Sequence, residues 1–181
     1  MMLTKKQIRS KILWKLKTQK EEDRTRKSRR IKEKLLRVSE FIKAKTVMFY
    51  LSFDGEVNTK EMIREAQGLG KIVVVPTCKK DRNIEPCILC KNTRLKNSPY
   101  GVCEPVVGKH IKLQDIDLVI LPGVAFDKGG RRLGRGRGYY DRFLKRLPKD
   151  TPSIGMAFDF QILPSIPATK RDVSVKGVIF A

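Results

Sequence analysis

One glycine- and arginine-rich segment offers the clearest chemistry in the sequence. From Leu121 to Asp141 the chain reads LPGVAFDKGGRRLGRGRGYYD, with glycines at positions 134, 136 and 138 alternating with arginines. Glycines let a backbone approach a ligand closely, and arginines provide forked N–H donors for phosphate oxygens. A helix is predicted to begin at Tyr139, and the positive end of its dipole favours an anion at the same place. The segment therefore predicts a phosphate-binding loop.

Two other interpretations of this segment stay open. It could be a flexible glycine turn with solvated arginines, or an RGG-like RNA-binding segment. The spacing matches neither GxxxxGK[ST] nor a GxGxxG that directly follows a strand, so pattern alone indicates neither a P-loop nor a dinucleotide site. Its position between a predicted buried strand and a predicted amphipathic helix favours the phosphate-binding loop.

The elements that must position this loop alternate between strands and helices from Thr46 onwards. Asn58 and Glu61 begin a helix that Gly68 and Gly70 end, and a second helix covers Tyr139 to Leu147. This alternation predicts an α/β fold of three layers, in which helices flank a mostly parallel, Rossmann-like sheet. The predicted strands are 46–51, 71–75, 84–90, 116–121, 153–158 and 173–179, with 100–107 as a loop or edge segment.

Two basic helices are predicted ahead of this body, at 5–20 and 22–44. Residues 1–45 hold 17 Lys+Arg and five Asp+Glu, a net charge of +12 out of +21 for the chain. These helices could form a nucleic-acid arm, or they could be amphipathic helices with basic solvated faces, and the second interpretation is favoured. With 181 residues, we expect one domain, 1–181, in which segment 1–45 packs on the α/β body.

Other classes of protein are disfavoured by composition. No apolar run approaches the roughly 18 residues of a membrane span, and the N-terminus lacks the apolar stretch of a secretory signal, so a cytoplasmic location is expected. Cys87 and Cys90 have CxxC spacing, with Cys78 and Cys103 outside it, but strand residues three apart face opposite sides. Buried or bystander thiols are therefore favoured over a zinc site, and His110 is expected to be exposed.

The loop sequence 121–141 resembles the signature of the 5-formyltetrahydrofolate cyclo-ligases, also called 5,10-methenyltetrahydrofolate synthetases. Further segments are similar to family landmarks and occur in family order: Lys5 with Arg9, YLSFDGEV at 50–57, YGV at 100–102 with Glu104-Pro105, and AFDFQ at 157–161. The resemblance spans nearly the whole chain. It implies an ATP- and Mg²⁺-dependent enzyme that converts 5-formyltetrahydrofolate to 5,10-methenyltetrahydrofolate with release of ADP and phosphate.

The resemblance also implies roles for individual residues. For ATP it implies Lys5, Arg9, Arg132, Gly134, Arg135, Gly136, Arg137, Gly138, Tyr139 and Tyr140. For the folate it implies Leu51, Glu56, Tyr100 and the shared loop residues Arg135, Gly136, Arg137, Gly138 and Tyr139. Arg135, Arg137 and Tyr139 are the expected catalytic residues, and Asp141 and Asp172 the expected Mg²⁺ ligands. Each acid could instead be structural: Asp141 as a helix-terminus charge, Glu56 as a turn residue, Asp172 at a strand edge.

The sequence departs from the family pattern in three places. Thr77 follows Pro76 where many relatives carry a basic residue, no second acid follows Asp172 closely, and 78–97 is poorly matched.

A competing hypothesis is a basic nucleic-acid-binding module, and an inactive relative is a third. We expect no specific nucleic acid partner, because aromatic residues make up only 7% and the acids at 56, 141 and 172 would repel a phosphate backbone. A monomer is expected.

Overall fold

The computed structural model describes residues 3–79, 81, 83–98 and 101–181. The helices are α1 (Lys5–Thr18), α2 (Glu21–Leu36), α3 (Ser39–Lys43), α4 (Lys60–Gly68) and α5 (Tyr139–Arg146). The strands are β1 (Thr46–Met48), β2 (Ile72–Cys78), β3 (Ile84–Ile88), β4 (Leu95–Asn97), β5 (Cys103–Pro105), β6 (Leu118–Leu121), β7 (Ala125–Asp127), β8 (Arg132–Leu133), β9 (Ser153–Ala157), β10 (Ile162–Leu163) and β11 (Gly177–Phe180).

A six-stranded sheet forms the centre of the fold, in the order β11-β9-β6-β1-β2-β3. Its strands are parallel except β3, which pairs with β2 in the antiparallel sense. In register, Val47 of β1 lies between Val73 of β2 and Leu118 of β6. Two smaller sheets, β10-β7-β8 and β4-β5, are attached to the rim. The predicted mostly parallel α/β sheet is confirmed.

The core lies on both faces of the sheet because successive strand residues point to opposite sides. On one face Val47 and Val73 pack in a cluster with the apolar stripe of α1 (Ile8, Ile12, Leu16). On the other face Met48 and Val74 pack in a cluster with Phe143 of α5. The chain therefore has the three expected layers, and the two basic helices contribute to the same core as the sheet.

The helix predicted over 22–44 is wrong in its extent, because the chain breaks it into α2 and α3. Val38 is extended at ψ 129° and its N–H donates to the Leu35 carbonyl at 3.0 Å. The break lets Leu35 and Phe41 enter the core from separate helices, and both are almost fully buried. No Gly or Pro marks this position, so local sequence gave no signal for it.

Strand ends also differ from the predictions. The predicted strand 173–179 is confined to Gly177–Phe180, and 100–107 contains the short strand β5, paired with β4. By contrast, α1 begins where expected, because the Thr4 side chain accepts from the Gln7 N–H and the Gln7 side chain accepts from the Thr4 N–H. None of the described helices is long and apolar enough to cross a membrane.

Candidate functional site

A cavity of about 670 Å³ opens at the carboxyl ends of the parallel strands. Its walls include residues 50, 51 and 53, which follow β1, and residues 122 to 124, which follow β6. The chain runs from β1 to β2 on one side and later returns to β6 on the other, so the strand order reverses between β1 and β6. Crevices at such a reversal are where open α/β sheets bind ligands.

Most of the residues predicted for the site line this one cavity. Lys5 lies outside the lining but is ion-paired with Asp172, and Tyr100 lies outside the described residues. The predicted residues that the cavity brings together are Arg9, Leu51, Glu56, Arg132, Gly134, Arg135, Gly136, Arg137, Gly138, Tyr139, Tyr140, Asp141 and Asp172.

The predicted phosphate-binding loop is more regular than the sequence indicated. It begins with a hairpin of β7 and β8, in which Phe126 pairs with Arg132, and only the part after Leu133 is irregular. Gly138 then adopts φ 69° and is the N-cap of α5. Because side chains rarely adopt this conformation, glycine permits the sharp entry into the helix. The loop thus brings its three glycines and the N-terminus of α5 to the cavity wall.

Asp127 anchors the base of this loop and was missed from the sequence. Its carboxylate is buried and accepts the N–H groups of Gly129 and Arg131 at 3.0 Å and of Ile166 at 3.1 Å. A buried carboxylate with three backbone donors is well satisfied. Asp127 therefore holds the hairpin turn and connects it to the segment after β10.

Arg132 is buried behind the loop rather than extended into solvent. Its side chain is 3% exposed, and it donates to Asp141 Oδ1 at 3.0 Å and lies 5.6 Å from the centre of the Tyr140 ring. The Arg132 Nε is buried and has no hydrogen-bond partner among the described residues. An unpaired buried donor is costly, so this atom is suited to an acceptor brought by a ligand.

Helix α1 closes one side of the cavity through two residues one turn apart. Lys5 Nζ pairs with Asp172 Oδ2 at 2.5 Å, and Arg9 Nε donates to the Gly134 carbonyl at 2.8 Å. The spacing of Lys5 and Arg9 therefore does bring both to the same side of the helix, as expected. Arg9 contacts the loop directly, whereas Lys5 reaches the site through Asp172.

Glu56 is a buried carboxyl on the opposite wall. Burial raises its pKa to about 7, although Arg135 and the Phe53 N–H act in the other direction. Its Oε1 lies 3.4 Å from Arg135, and its Oε2 accepts from the Phe53 N–H at 3.3 Å. Near neutral pH this carboxyl titrates inside the cavity, so it can accept or donate hydrogen bonds to a polar ligand edge.

Asp141 and Asp172 offer oxygen atoms that suit a magnesium ion. Hydrogen bonds reach Oδ1 of Asp141 and Oδ2 of Asp172, and both carboxylates line the cavity. No group of three or more metal-ligating side chains occurs in the described part of the chain. Mg²⁺ commonly uses one or two carboxylates plus phosphates and water, so this pair fits the ion when a nucleotide is also present.

Of the cysteines and the histidine, only Cys78 is among the residues that line the cavity. Cys87 is buried and Cys90 exposed, and all four thiols are free. Cys78 lines the cavity, but burial and the nearby Glu104 raise its pKa to about 12, so it stays protonated at neutral pH. His110 is exposed, as expected, with its Nδ1 3.9 Å from Glu85.

Several lining residues were not identified from the sequence. Three of them are cationic, Arg142 and Lys145 on α5 and Arg171 before Asp172, and two are aromatic, Tyr50 and Phe53. The α5 residues had a usable signal, because position 142 is one helical turn after Tyr139 and position 145 follows three residues later. No sequence signal indicated Arg171, because its location depends on how the C-terminal segment folds back.

Comparison with known proteins points to one family. The whole chain, residues 1–181, matches the 5-formyltetrahydrofolate cyclo-ligase family. The chain is 29% identical to 5-formyltetrahydrofolate cyclo-ligase of Mus musculus, covering 97% of this chain and 93% of the relative. It is 32% identical to the Haemophilus influenzae enzyme of the same name, with 75% of each chain covered.

A solved structure gives the same result. The NMR structure of Aquifex aeolicus 5,10-methenyltetrahydrofolate synthetase superimposes with a TM-score of 0.87 at 32% identity, covering 98% of this chain and 90% of that one. The family resemblance seen in the sequence is therefore confirmed over the full length. With its cavity at the reversal point of a parallel sheet and its glycine-arginine loop, the chain is an enzyme that belongs to the 5-formyltetrahydrofolate cyclo-ligase family.

Proposed function

We propose that the protein uses ATP and Mg²⁺ to cyclise 5-formyltetrahydrofolate to 5,10-methenyltetrahydrofolate, with release of ADP and phosphate. The observation that carries the proposal is the position of Arg135. This side chain extends from the glycine-arginine loop to the buried Glu56, so it connects a wall for the nucleotide with a wall for the folate in a single cavity.

The folate would lie against the wall that follows β1. Leu51 and Phe53 supply apolar surface, and the buried Glu56 can accept hydrogen bonds from the amino and ring N–H groups of a pterin. A carboxyl buried in this way rejects ligands that lack matching donors, because its oxygens would then be left unpaired. We assign Tyr100 to this wall from the family resemblance alone.

The nucleotide phosphates would lie against the glycine-arginine loop. The backbone N–H groups from Gly134 to Gly138 and the N-terminus of α5 favour anions there. Arg9 and Arg137 add cationic donors at the cavity wall, and the unpaired Nε of Arg132 adds a buried donor. Lys5 and Tyr140 complete the assignment, with Lys5 acting next to Asp172.

The proposed reaction has two bond-making steps. The formyl oxygen attacks the γ-phosphorus of ATP and ADP leaves, which converts a poor leaving group into a phosphate ester. The lone pair of N10 then attacks the formyl carbon, N10 loses its proton, and the carbon–oxygen bond breaks to release phosphate. No protein nucleophile is required, in agreement with the raised pKa of the cavity thiol at Cys78.

The contribution of the protein would be positioning and electrostatic stabilisation, which dominate phosphoryl transfer. Arg135 and Arg137 are placed to offset negative charge on the transferred group, and Tyr139 lies at the start of α5 in the same wall. Asp141 and Asp172 would hold Mg²⁺, which when bound offsets charge on phosphate oxygens.

The direct test is absorbance in the methenyltetrahydrofolate band after mixing protein, 5-formyltetrahydrofolate, Mg²⁺ and ATP. We expect a rise that requires ATP and disappears when EDTA removes the metal. A flat trace from folded protein would contradict the proposal and would make salt-sensitive RNA retention the next measurement. The expected monomer, single domain and cytoplasmic location remain predictions, to be checked by sedimentation, limited proteolysis and cell fractionation.

A further inference from the structure

A tight turn at residues 53–56 carries the folate-side carboxyl. Asp54 has φ 49° and Gly55 has φ 79°, and the Glu56 N–H donates to the Phe53 carbonyl at 3.1 Å. Two successive residues with positive φ are the pattern of a type I′ turn, for which Asp-Gly is a favoured pair. The turn therefore projects the side chains at 53, 54 and 56 from a short, defined backbone.

This turn is fixed to the corner between α1 and α2. A side chain at Gly55 would place its Cβ 2.0 Å from the Leu16 carbonyl oxygen, so the turn packs directly on the helix backbone. Gln19 Nε2 donates to the Gly55 carbonyl at 2.7 Å, and Arg24 Nε donates to the Glu56 carbonyl at 2.9 Å. The turn is thus held at the carbonyls of Gly55 and Glu56.

Three side chains of the turn contact one arginine of the glycine-arginine loop. Arg135 Nη1 lies 3.0 Å from Asp54 Oδ2, and Nη2 lies 3.4 Å from Glu56 Oε1. The guanidinium carbon is 4.2 Å from the centre of the Phe53 ring, within range of a cation–π interaction. The shorter of the two ion pairs is made by Asp54, a residue that lies outside the cavity lining.

We propose that Asp54 is a positioning residue that restrains Arg135 on the folate wall and so weakens nucleotide binding. The inference rests on the proposed ATP site, where phosphate oxygens compete with Asp54 for the same guanidinium. Asp54 acts through Arg135 rather than on either substrate. Asp54 therefore influences how strongly Arg135 contacts the folate wall and how strongly it contacts the nucleotide phosphates.

Removing the Asp54 charge has two effects, and both are expected to strengthen nucleotide binding. Arg135 would be released from its 3.0 Å partner, and the loop would lose a negative charge beside its anion site. Both changes favour a polyanion. Neither favours the pterin edge of the folate, because Glu56 then becomes the remaining carboxylate partner of Arg135 in this turn and is drawn further into that contact.

Asp54→Asn isolates this charge. Asn is the same size and tolerates left-handed backbone, so the turn is retained. The measurement is calorimetric titration of the full chain with ATP and Mg²⁺, without folate. We expect the Kd for ATP to fall about two- to fivefold, the range for a partly exposed ion pair.

The matched control is Glu61→Gln on α4, which removes an exposed charge paired with Lys32 and is expected to leave the Kd unchanged.

A kinetic measurement separates this role from a structural one. Asp54→Asn should lower the KM for ATP without lowering the KM for 5-formyltetrahydrofolate, whereas general damage to the turn would raise both. An ATP Kd that is unchanged or weaker, or an equal gain in Glu61→Gln, would overturn the inference while leaving the proposed function intact. Failure of the unaltered protein to bind ATP would overturn both.

Discussion

Lys5 and Asp172 join the two ends of the chain at the rim of the cavity. They are 167 residues apart in sequence, and their charged atoms lie 2.5 Å apart in an ion pair that is about three-quarters buried. Asp172 also accepts the backbone N–H and the hydroxyl of Thr169. One carboxylate thus fixes the first helix, organises its own turn and faces the candidate nucleotide site.

The strength of this contact can be measured by a double-mutant cycle of Lys5→Met and Asp172→Asn. We expect a coupling energy of about 0.5–1 kcal/mol from urea unfolding, since the pair is only partly buried. Lys6→Met, one position along and exposed, is the matched control and should show no coupling with Asp172→Asn. An equal coupling energy between Lys6 and Asp172 would show that the coupling comes from the overall charge of the chain and not from the Lys5–Asp172 contact.

The same pair predicts a pH dependence. Burial acts to raise the pKa of Asp172, but the hydrogen bonds from Lys5 and Thr169 outweigh it and hold the pKa below its usual value. A lowered folded-state pKa gives stability that is present above the unfolded pKa of about 3.9 and is lost as the pH falls through the folded value. The stability difference between the wild type and Asp172→Asn should therefore shrink below about pH 4. Asp150→Asn, an exposed control, should show no such trend.

Arg135→Ala tests the centre of the proposed site. We expect kcat/KM to fall about a hundredfold or more, because the proposed function gives this side chain the role of offsetting charge on the transferred phosphoryl group. The free energy of unfolding should change by less than about 1 kcal/mol, since the side chain is partly exposed and outside the core. Arg131→Ala, which removes an exposed arginine from the hairpin that precedes Arg135, should retain activity. Normal turnover in Arg135→Ala would remove the central assignment.

Glu56→Gln tests whether the two walls of the cavity bind different ligands. Loss of a buried charged acceptor should weaken binding of 5-formyltetrahydrofolate about tenfold or more, while ATP binding persists. Calorimetric titration with each ligand measures this directly. Equal loss of both ligands would indicate that Glu56 is a structural residue of the turn instead.

Glu56 also predicts how stability varies with pH. Burial raises its folded-state pKa to about 7, so the native state holds a proton that the unfolded state releases near pH 4.5. Stability from this group is present below the unfolded pKa and is lost as the pH rises to 7, by up to about 3 kcal/mol. Urea unfolding at pH 5 and pH 8 should show the wild type losing stability relative to Glu56→Gln. A constant difference would contradict the raised pKa.

Asp127→Asn tests the anchor of the loop. An amide in place of the carboxylate keeps one acceptor oxygen but directs an N–H group at one or more of the backbone N–H donors, which should cost about 1–3 kcal/mol in urea unfolding. Activity should also fall, because the hairpin turn positions the residues that follow it. Asp150→Asn serves here too as a control that removes the same charge from the surface. Unchanged stability would show that the three backbone donors find other acceptors.

Local pattern was sufficient where neighbours in sequence decide the structure. The Thr4–Gln7 capping box predicted the start of α1, and the turn and helix signals around Gly134 to Tyr139 predicted a loop that leads into a helix. The resemblance, rather than the spacing, indicated Glu56. The capping box and the loop signals depend on residues close together in the chain, whereas the resemblance rests on segments along nearly the whole chain.

Tertiary contacts decided the features that were missed. The break between α2 and α3 follows from burying Leu35 and Phe41 together, and no turn residue marks it. The role of Asp127 depends on Ile166, which is 39 positions away, and that of Asp54 on Arg135, 81 positions away. Such partners become visible only when the fold brings them together.

The meeting of Lys5 with Asp172 has a consequence for how the enzyme is made in the cell. Synthesis proceeds from the N-terminus, so Lys5 and Arg9 leave the ribosome long before the segment that carries Asp172. The sheet strands β1, β2 and β6 can pair in the growing chain, but the rim of the cavity closes only when the last strands arrive. A nascent chain therefore completes this pocket only after the segment that carries Asp172 has been synthesised, and a ligand of the pocket would stabilise only molecules whose synthesis has passed that point.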